Sequence, residues 1–418
     1  MSFALRAVAF AASAFFAAGL RAAPLTLEDA WRVAEQANPA LRTAQAGVHA
    51  AKGQLTESRA PLWNNPSASF EGTRTQIPQV DERYRGWTLG LSQTFEVAGQ
   101  QGQRREAAEA ELASVEANIA DARAQLRAEV EQRFIQLLAL QLRTAVERET
   151  LALVEQADAA MQKRLQAGEV SRLDRNVAAV EAERSRNQLI QAEEQATQAR
   201  AELASLLQLP PAELPEAVGE LRREAAYTLD ELLGRAAKRQ RLVALARREE
   251  AARSRLEVER AAKYPDVTVG LSTGRDGPPE LRENIVGFTV SLPLPLFRRN
   301  DAGVGRAMSE MTQAQIERQA AERDTLAAVR SQWLRVSQLE ARAGRLRETV
   351  APTLEENQRL SRRAFQEGEI GAMDLLLVNR QLAELRRDVL EAEMDLRLAR
   401  VALERASGWT PETKGQTK

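Results

Sequence analysis

The chain has 418 residues, 28% of them charged, yet its 58 basic and 59 acidic side chains leave a formal net charge of −1. That balance lacks the basic footprint of a nucleic-acid binder, so no nucleic-acid partner is expected. The absence of cysteine excludes disulfides, thiolate metal sites and cysteine nucleophiles. Aromatic residues make up only 4%, while Ala, Arg, Glu, Gln and Leu dominate, as in long helices and coiled coils.

The N-terminus reads as a targeting segment over residues 1–23. Arg6 precedes an apolar run, Ala7–Leu20, which is followed by Arg21-Ala22-Ala23-Pro24. This is the layout of a secretory signal peptide, and the run is shorter than the ~20 residues of a spanning helix. No Cys follows it, so a conventional bacterial lipoprotein is excluded. No later stretch is apolar enough for a transmembrane helix, so a membrane crossing requires a β-barrel.

Thr26–Asn38 and Pro39–Arg59 are predicted helices. Thr26 is placed as an N-cap with Asp29 three residues on, and Pro39 fits a first helical turn. The period then changes. Residues 65–74 and 85–96 are predicted strands: Trp87, Leu89, Leu91 and Phe95 alternate with Thr88, Gly90, Ser92 and Thr94. Thr75–Tyr84, with Pro78 and several charges, is expected to be an exposed loop. From Gly102 to Ala167 runs a stretch without proline, a helix ~95 Å long at 1.5 Å per residue. Its apolar spacings mix threes, fours and one eleven-residue step, which relaxes left-handed winding. A turn at Gly168 leads to a returning helix, about Arg172–Leu206, and Pro210, Pro211 and Pro215 then break the chain.

The same order follows again. Thr228–Lys238 and Arg241–Ala262 are predicted helices, and segments 265–274 and 284–295 alternate apolar with small polar residues. Gly303–Glu367 is a second long helix. Ala372–Ser407 is a second return with a heptad stripe of Val378, Leu382, Leu385, Val389, Ala392, Leu396, Ala399 and Leu403. Residues 408–418 are expected to be a disordered tail. Short motifs recur with the elements: LQAGEVSRLDRN at 165–176 returns as FQEGEIGAMDLL at 365–376, and Thr26-Leu27-Glu28 as Thr228-Leu229-Asp230. A period near 200 is far longer than the roughly 20–50 residues of a solenoid unit. The domain organisation is therefore two repeats, 24–207 and 228–407, joined by 208–227. Each repeat holds a β-hairpin (65–96, 265–295) and a long helical hairpin (102–206, 303–407).

Strands of about ten residues have the length of a membrane-spanning strand, and their alternation matches lipid on one side and water on the other. Four strands cannot close a barrel, so closure demands several chains. The order of elements, LTLEDAWRVAEQANPAL near the N-terminus, the junction SQTFEVAGQQGQR, both GE[V/I]-x₃-D turns and the closing ALERASG together resemble the TolC-like outer-membrane efflux proteins. SQTFEVAGQQGQR is most similar to their heavy-metal, cobalt–zinc–cadmium type branch. The resemblance implies a mainly α fold: a long α-helical coiled-coil barrel plus four β-strands per chain, closing a twelve-stranded transmembrane β-barrel as a homotrimer. It implies an outer-membrane location in a Gram-negative bacterium with a large periplasmic part, and a mixed belt near 207–227 and the termini. Its implied function is the exit duct of a tripartite efflux system, with a periplasmic adaptor (membrane fusion) protein, an inner-membrane pump and outer-membrane lipid as partners, and heavy-metal cations as the branch's substrate class.

The resemblance places Gly168-Glu169-Val170 and Gly368-Glu369-Ile370 at the hairpin tips that meet the adaptor. A glycine there permits a sharp reversal. Asp174 and Asp374 open the returning helices, where a carboxylate gains from the helix dipole; for Asp174 capping is the favoured role. Three copies of Asp374 at a narrow mouth would favour cations. Phe365 takes the place of the family's entrance aromatic, Ile370 of a frequent arginine and Leu377 of a second acid, so the polar latch is depleted. His49, the only histidine, lacks a Cys or His partner; no metal or cofactor site is expected. No phosphate loop or nucleophile–His arrangement points to an enzyme. The competing reading is a soluble periplasmic coiled-coil linker or adaptor, which two hairpins and paired alternating strands disfavour.

Overall fold

The structure, a computed structural model, describes residues 24–77, 82–223, 226–278, 280–367 and 369–409. The expected signal peptide at 1–23, Gly368 and all but the first two residues of the expected tail lie outside them. Among the described residues, helices α1 (Leu27–Ala37) and α2 (Pro39–Ser58) precede strands β1 (Ser67–Ile77) and β2 (Glu82–Phe95). Helices α3 (Gln100–Gln166) and α4 (Arg172–Leu207) follow. The order then repeats as α5 (Leu229–Ala236), α6 (Gln240–Ala261), β3 (Val267–Asp276), β4 (Glu283–Ser291), α7 (Asp301–Arg345), α8 (Ala351–Gln366) and α9 (Ala372–Ser407). None of these helices is long and apolar enough to cross a membrane.

The chain forms two compact units. The first comprises Met1–Asn38, Glu129–Glu224 and Leu339–Leu398. In it, Thr26 caps α1 by accepting the Asp29 N–H at 3.2 Å. Just before the cap, Leu25 forms a parallel bridge with Ala217, its N–H donating to the Glu216 carbonyl at 2.8 Å. The segment after α4 is thereby held beside the start of the described chain, with Leu214 and Leu221 buried. Gly219 lies against Phe134 and Leu138.

Helices α3, α4 and α9 bury Val130, Phe134, Leu137, Leu203 and Leu382 in this unit and meet in a cluster of Met161, Ala178 and Leu376. They are also tied by ion pairs. The sequence places Arg and Glu of the long helices on solvated faces and in i,i+4 pairs. Several instead bridge different helices, Arg133 to Glu202 at 2.6 Å, Arg148 to Glu193 at 2.9 Å and Arg387 to Glu147 at 2.6 Å. Arg397 and Glu131 pair while both are buried, and Arg223 lies 3.8 Å from the same carboxylate. Burial pushes the Glu131 carboxyl above its ordinary range, a shift that Arg397 and Arg223 oppose without cancelling.

The single helix expected over Gly303–Glu367 is interrupted. Leu346–Val350 forms a π-turn in which the Ala351 N–H donates to the Leu346 carbonyl, and α8 opens with Pro352 in its first turn. Proline has no N–H to continue the α-ladder, so the register slips by one residue just before it.

The second unit comprises Pro39–Ala128, Ala225–Gln338 and Ala399–Lys418. It carries the sheet, in the order β1-β2-β3-β4, antiparallel throughout. The first hairpin is longer than the alternation alone predicts: Thr75 pairs with Tyr84 and Gln76 with Arg83, so both ends of the expected loop join the ladder. Strand β4 is shorter than expected. It stops at Ser291 because Pro293 and Pro295 cannot donate to a ladder. Beneath the sheet, α2, α3, α6 and α7 pack through small residues, and the buried Ser114 hydroxyl donates to the Ala244 carbonyl at 3.0 Å. Arg318 with Glu249 at 2.6 Å and Arg255 with Glu111 at 3.0 Å join helices across this unit.

Candidate functional site

Two places in the molecule concentrate features that packing of a soluble domain leaves unexplained: the faces of the sheet and the tips of the helical hairpins.

One row across the sheet runs Ala68, Leu91, Leu271, Phe288, and the next runs Phe70, Leu89, Thr273, Val286. Phe70, Leu89, Leu91, Leu271, Val286, Phe288 and Val290 are all exposed, an apolar face with nothing packed on it among the described residues. A row of the opposite face runs Ser67, Ser92, Gly270, Thr289. There the Ser67 and Ser92 hydroxyls meet at 2.7 Å and those of Thr94 and Thr268 at 2.8 Å. A Cβ on Gly274 would come within 2.5 Å of the Trp87 carbonyl oxygen, so the close strand approach there requires glycine. The outer edges of β1 and β4 have no partner strand among the described residues. A sheet apolar on one side, polar on the other and open at both edges is unfinished in lipid, where every backbone group must be paired.

At the first hairpin tip, Gly168 adopts φ +77°. Its N–H donates to the Leu165 carbonyl at 3.0 Å and that of Glu169 to the Arg164 carbonyl at 2.9 Å, a Schellman closure that only a left-handed residue completes easily. The chain restarts at Ser171. Its hydroxyl accepts the Asp174 N–H at 3.1 Å, and its own N–H donates to the Asp174 carboxylate at 3.2 Å, forming a capping box. Gly168 and Glu169 face solvent, whereas Val170 packs against a small core of Met161, Ala178 and Leu376.

The second tip differs in one atom group. The Glu369 N–H again closes on the carbonyl five residues back, Ala364, at 2.9 Å. Asp374 again accepts a backbone N–H, that of Gly371, at 3.2 Å. But Gly371 stands where the first tip has Ser171, so no hydroxyl answers the Asp374 N–H. Asp374 and Glu369 are exposed and Ile370 is half-buried. The Arg164 guanidinium of the other hairpin lies 5.1 Å from the Phe365 ring centroid, a cation–π contact. Leu377, close to the second tip on α9, is 55% exposed.

Three residues escape the sequence reading. Leu173, Val177 and Val180 form an exposed apolar stripe on α4 beside the first tip. Their spacing of four and three was visible, but two alanines between them and the charged flanks masked it as ordinary helix. Elsewhere, His49 lies exposed on α2. Among the described residues no group of three or more His, Asp or Glu is arranged to hold a metal ion.

The chain as a whole is similar to known proteins. The family described as outer membrane efflux protein matches residues 31–208 and, a second time, 232–409. The cobalt-zinc-cadmium resistance protein CzcC of Cupriavidus metallidurans is 29% identical over 370 residues, 87% of this chain and 85% of that protein. The outer membrane protein VceC of Vibrio cholerae shares the fold at a TM-score of 0.75 and 20% identity, over 91% of this chain and 96% of that one. CusC does so at 0.75 and 18%, over 91% of each. The double family match spans both halves of the described structure, and the chain belongs to the outer membrane efflux protein family.

Proposed function

We propose that three copies of this chain form the passive exit duct of a tripartite efflux system in the outer membrane of a Gram-negative bacterium. The observation that carries the reading is the open sheet. Its two unpaired edges and its unpacked apolar face are costly in isolation, and both are resolved when copies join edge to edge in lipid. Three copies of four strands make twelve, the number the TolC-like resemblance implies. The Ser, Thr and Gly face then lines a water-filled lumen.

In this reading each chain is two repeats, 24–207 and 228–407, whose helical hairpins build a periplasmic tunnel. A periplasmic adaptor docks at Gly168-Glu169-Val170 and Gly368-Glu369-Ile370, and an inner-membrane pump supplies the energy. The duct performs no covalent chemistry on what passes, in keeping with relatives that are channels. Asp374, exposed at the second tip, forms a ring that favours cations at the entrance, while Asp174 serves as a cap. The 29% identity to CzcC, named for cobalt, zinc and cadmium resistance, supports divalent heavy-metal cations as the cargo. A soluble periplasmic linker is not favoured, because the family is one of outer membrane efflux proteins.

Single-channel recording from purified protein in a planar bilayer tests the reading. Stable, cation-selective conductance is expected; protein that stays soluble without detergent and never conducts would sink it.

A further inference from the structure

The ladder of β4 ends at Ser291, but the outward face of the strand does not. Val286, Phe288 and Val290 lie on one side of the sheet, and Leu292 and Leu294 continue at the same period of two. Pro293 and Pro295 each bias the residue before them to extended backbone, so the alternation survives the loss of ladder hydrogen bonds. The Leu296 N–H then donates to the Leu294 carbonyl at 2.9 Å and turns the chain across Pro295. Leu296 and Phe297 stand at that turn, 68% and 96% exposed. Arg298 and Arg299 follow, both exposed and with no side-chain hydrogen bond or ion pair among the described residues.

Height decides where this segment sits. At a tilt of about 40°, the stretch Val286–Val290 covers only ~13 Å of a hydrocarbon band that is ~25 Å tall. Extending it to Leu294 brings the apolar face to ~23 Å, which sets Phe297 and the two arginines at the polar boundary. Trp63, just before β1, and Tyr264, just before β3, are exposed at the same end of the sheet. Aromatic rings at the level of the headgroups are the usual marker of that boundary.

We propose that Phe297, Arg298 and Arg299 form an interfacial anchor that binds the phosphate of an anionic phospholipid in the periplasmic leaflet. The inference rests on the membrane reading of the sheet. Charge argues for lipid over a neighbouring copy. If β4 meets β1 of the next copy, the residues level with this segment are those leading into β1, Ala60–Pro66, which carry no carboxylate. Two guanidiniums that pair with no described residue of their own chain and face no carboxylate on that neighbour are suited to bidentate contact with phosphate.

The chain has no cysteine, so a Leu296→Cys variant accepts a single environment-sensitive dye beside the anchor. Detergent-purified protein carrying it is titrated with micelles containing phosphatidylglycerol or phosphatidylcholine. The dye should report tighter binding of phosphatidylglycerol, and Arg298→Gln and Arg299→Gln should each lower that preference by about fivefold. An unchanged preference in the double variant overturns the anchor. So does a dye response that follows association of copies without added lipid, which would make the segment a contact between copies. Conductance separates the two levels: a double variant that still forms channels but keeps its lipid preference removes only the anchor, whereas wild-type protein that never enters a bilayer removes the membrane reading with it.

Discussion

Arg387 grips Glu147 at two points, its Nε donating to one carboxylate oxygen at 2.6 Å and its Nη2 to the other at 2.9 Å, with Glu147 only 1% exposed. The same Nη2 donates to Gln188 at 2.9 Å, so one guanidinium of α9 ties together α3 and α4. Removing it leaves a buried carboxylate with only Arg143, 3.8 Å away, as a countercharge. Arg387→Met should cost about 3–5 kcal/mol of stability. The adjacent Arg386–Glu149 pair is solvent-exposed, and Arg386→Met should cost less than about 1 kcal/mol. Thermal unfolding of the two variants, compared with wild type, checks the ordering.

The second hairpin tip has half a capping box. A side chain at Gly371 would meet nothing nearer than Asp374 Oδ2 at 3.5 Å, and its backbone is not left-handed. Gly371→Ser should therefore supply the missing acceptor for the Asp374 N–H and stabilise the tip by about 0.5–1 kcal/mol. A lower melting temperature for this variant would show that the glycine is needed for another conformation of the tip.

Charge and capping at Asp374 can be separated. Asparagine still accepts the Gly371 N–H but carries no charge, so Asp374→Asn should keep the stability within about 1 kcal/mol of wild type while cation-over-anion permeability falls. Asp174→Asn, in a complete box, should leave permeability unchanged. Reversal-potential measurements in a salt gradient read both.

Close packing of the strands predicts an asymmetry between two glycines. Gly274→Ala places a methyl against the Trp87 backbone carbonyl and should abolish the detergent-stable assembled form. Gly72→Ala meets only the Phe70 ring edge at 3.9 Å and should assemble normally. Gel migration of unheated against heated protein distinguishes them.

The buried Glu131 gives the pH dependence a sign. Its folded value is raised by burial, so its contribution to stability is fully present below the ordinary carboxylate range and is lost as pH rises through that raised value. The stability of wild type relative to Glu131→Gln should thus decline from acid toward neutral pH. Denaturant unfolding of both proteins across that window should show wild type losing stability relative to the variant; wild type gaining stability relative to it would mean that Arg397 and Arg223 dominate the carboxylate instead.

Most of what is local in this fold was legible in the chain. Apolar alternation marked all four strands, proline and glycine marked the hairpin ends, and α9 fell within the bounds its heptad stripe predicted. The Thr26 cap and the closure at Gly168 follow from chemistry within six residues. Pro352 was equally visible, yet its effect was not, because a long helix can absorb a proline by kinking, fraying or slipping register, and neighbouring packing selects among them. The alternation over 284–295 already carried the apolar face past Val290, but only the backbone showed that the ladder stops at Ser291 while that face continues.

What the tertiary structure alone decided is which charges are structural. Arg and Glu crowd every long helix, and periodicity cannot tell Glu147, sealed under Arg387, from Glu149, left in water two residues away. Nor could it place Arg164 over Phe365, which are 201 residues apart in the chain, 365 minus 164, and 5.1 Å apart in space. Helical and strand periods are set by backbone geometry and are written within a few turns of sequence. Ion pairs between helices depend on which faces meet, and that is fixed only when the whole chain has packed.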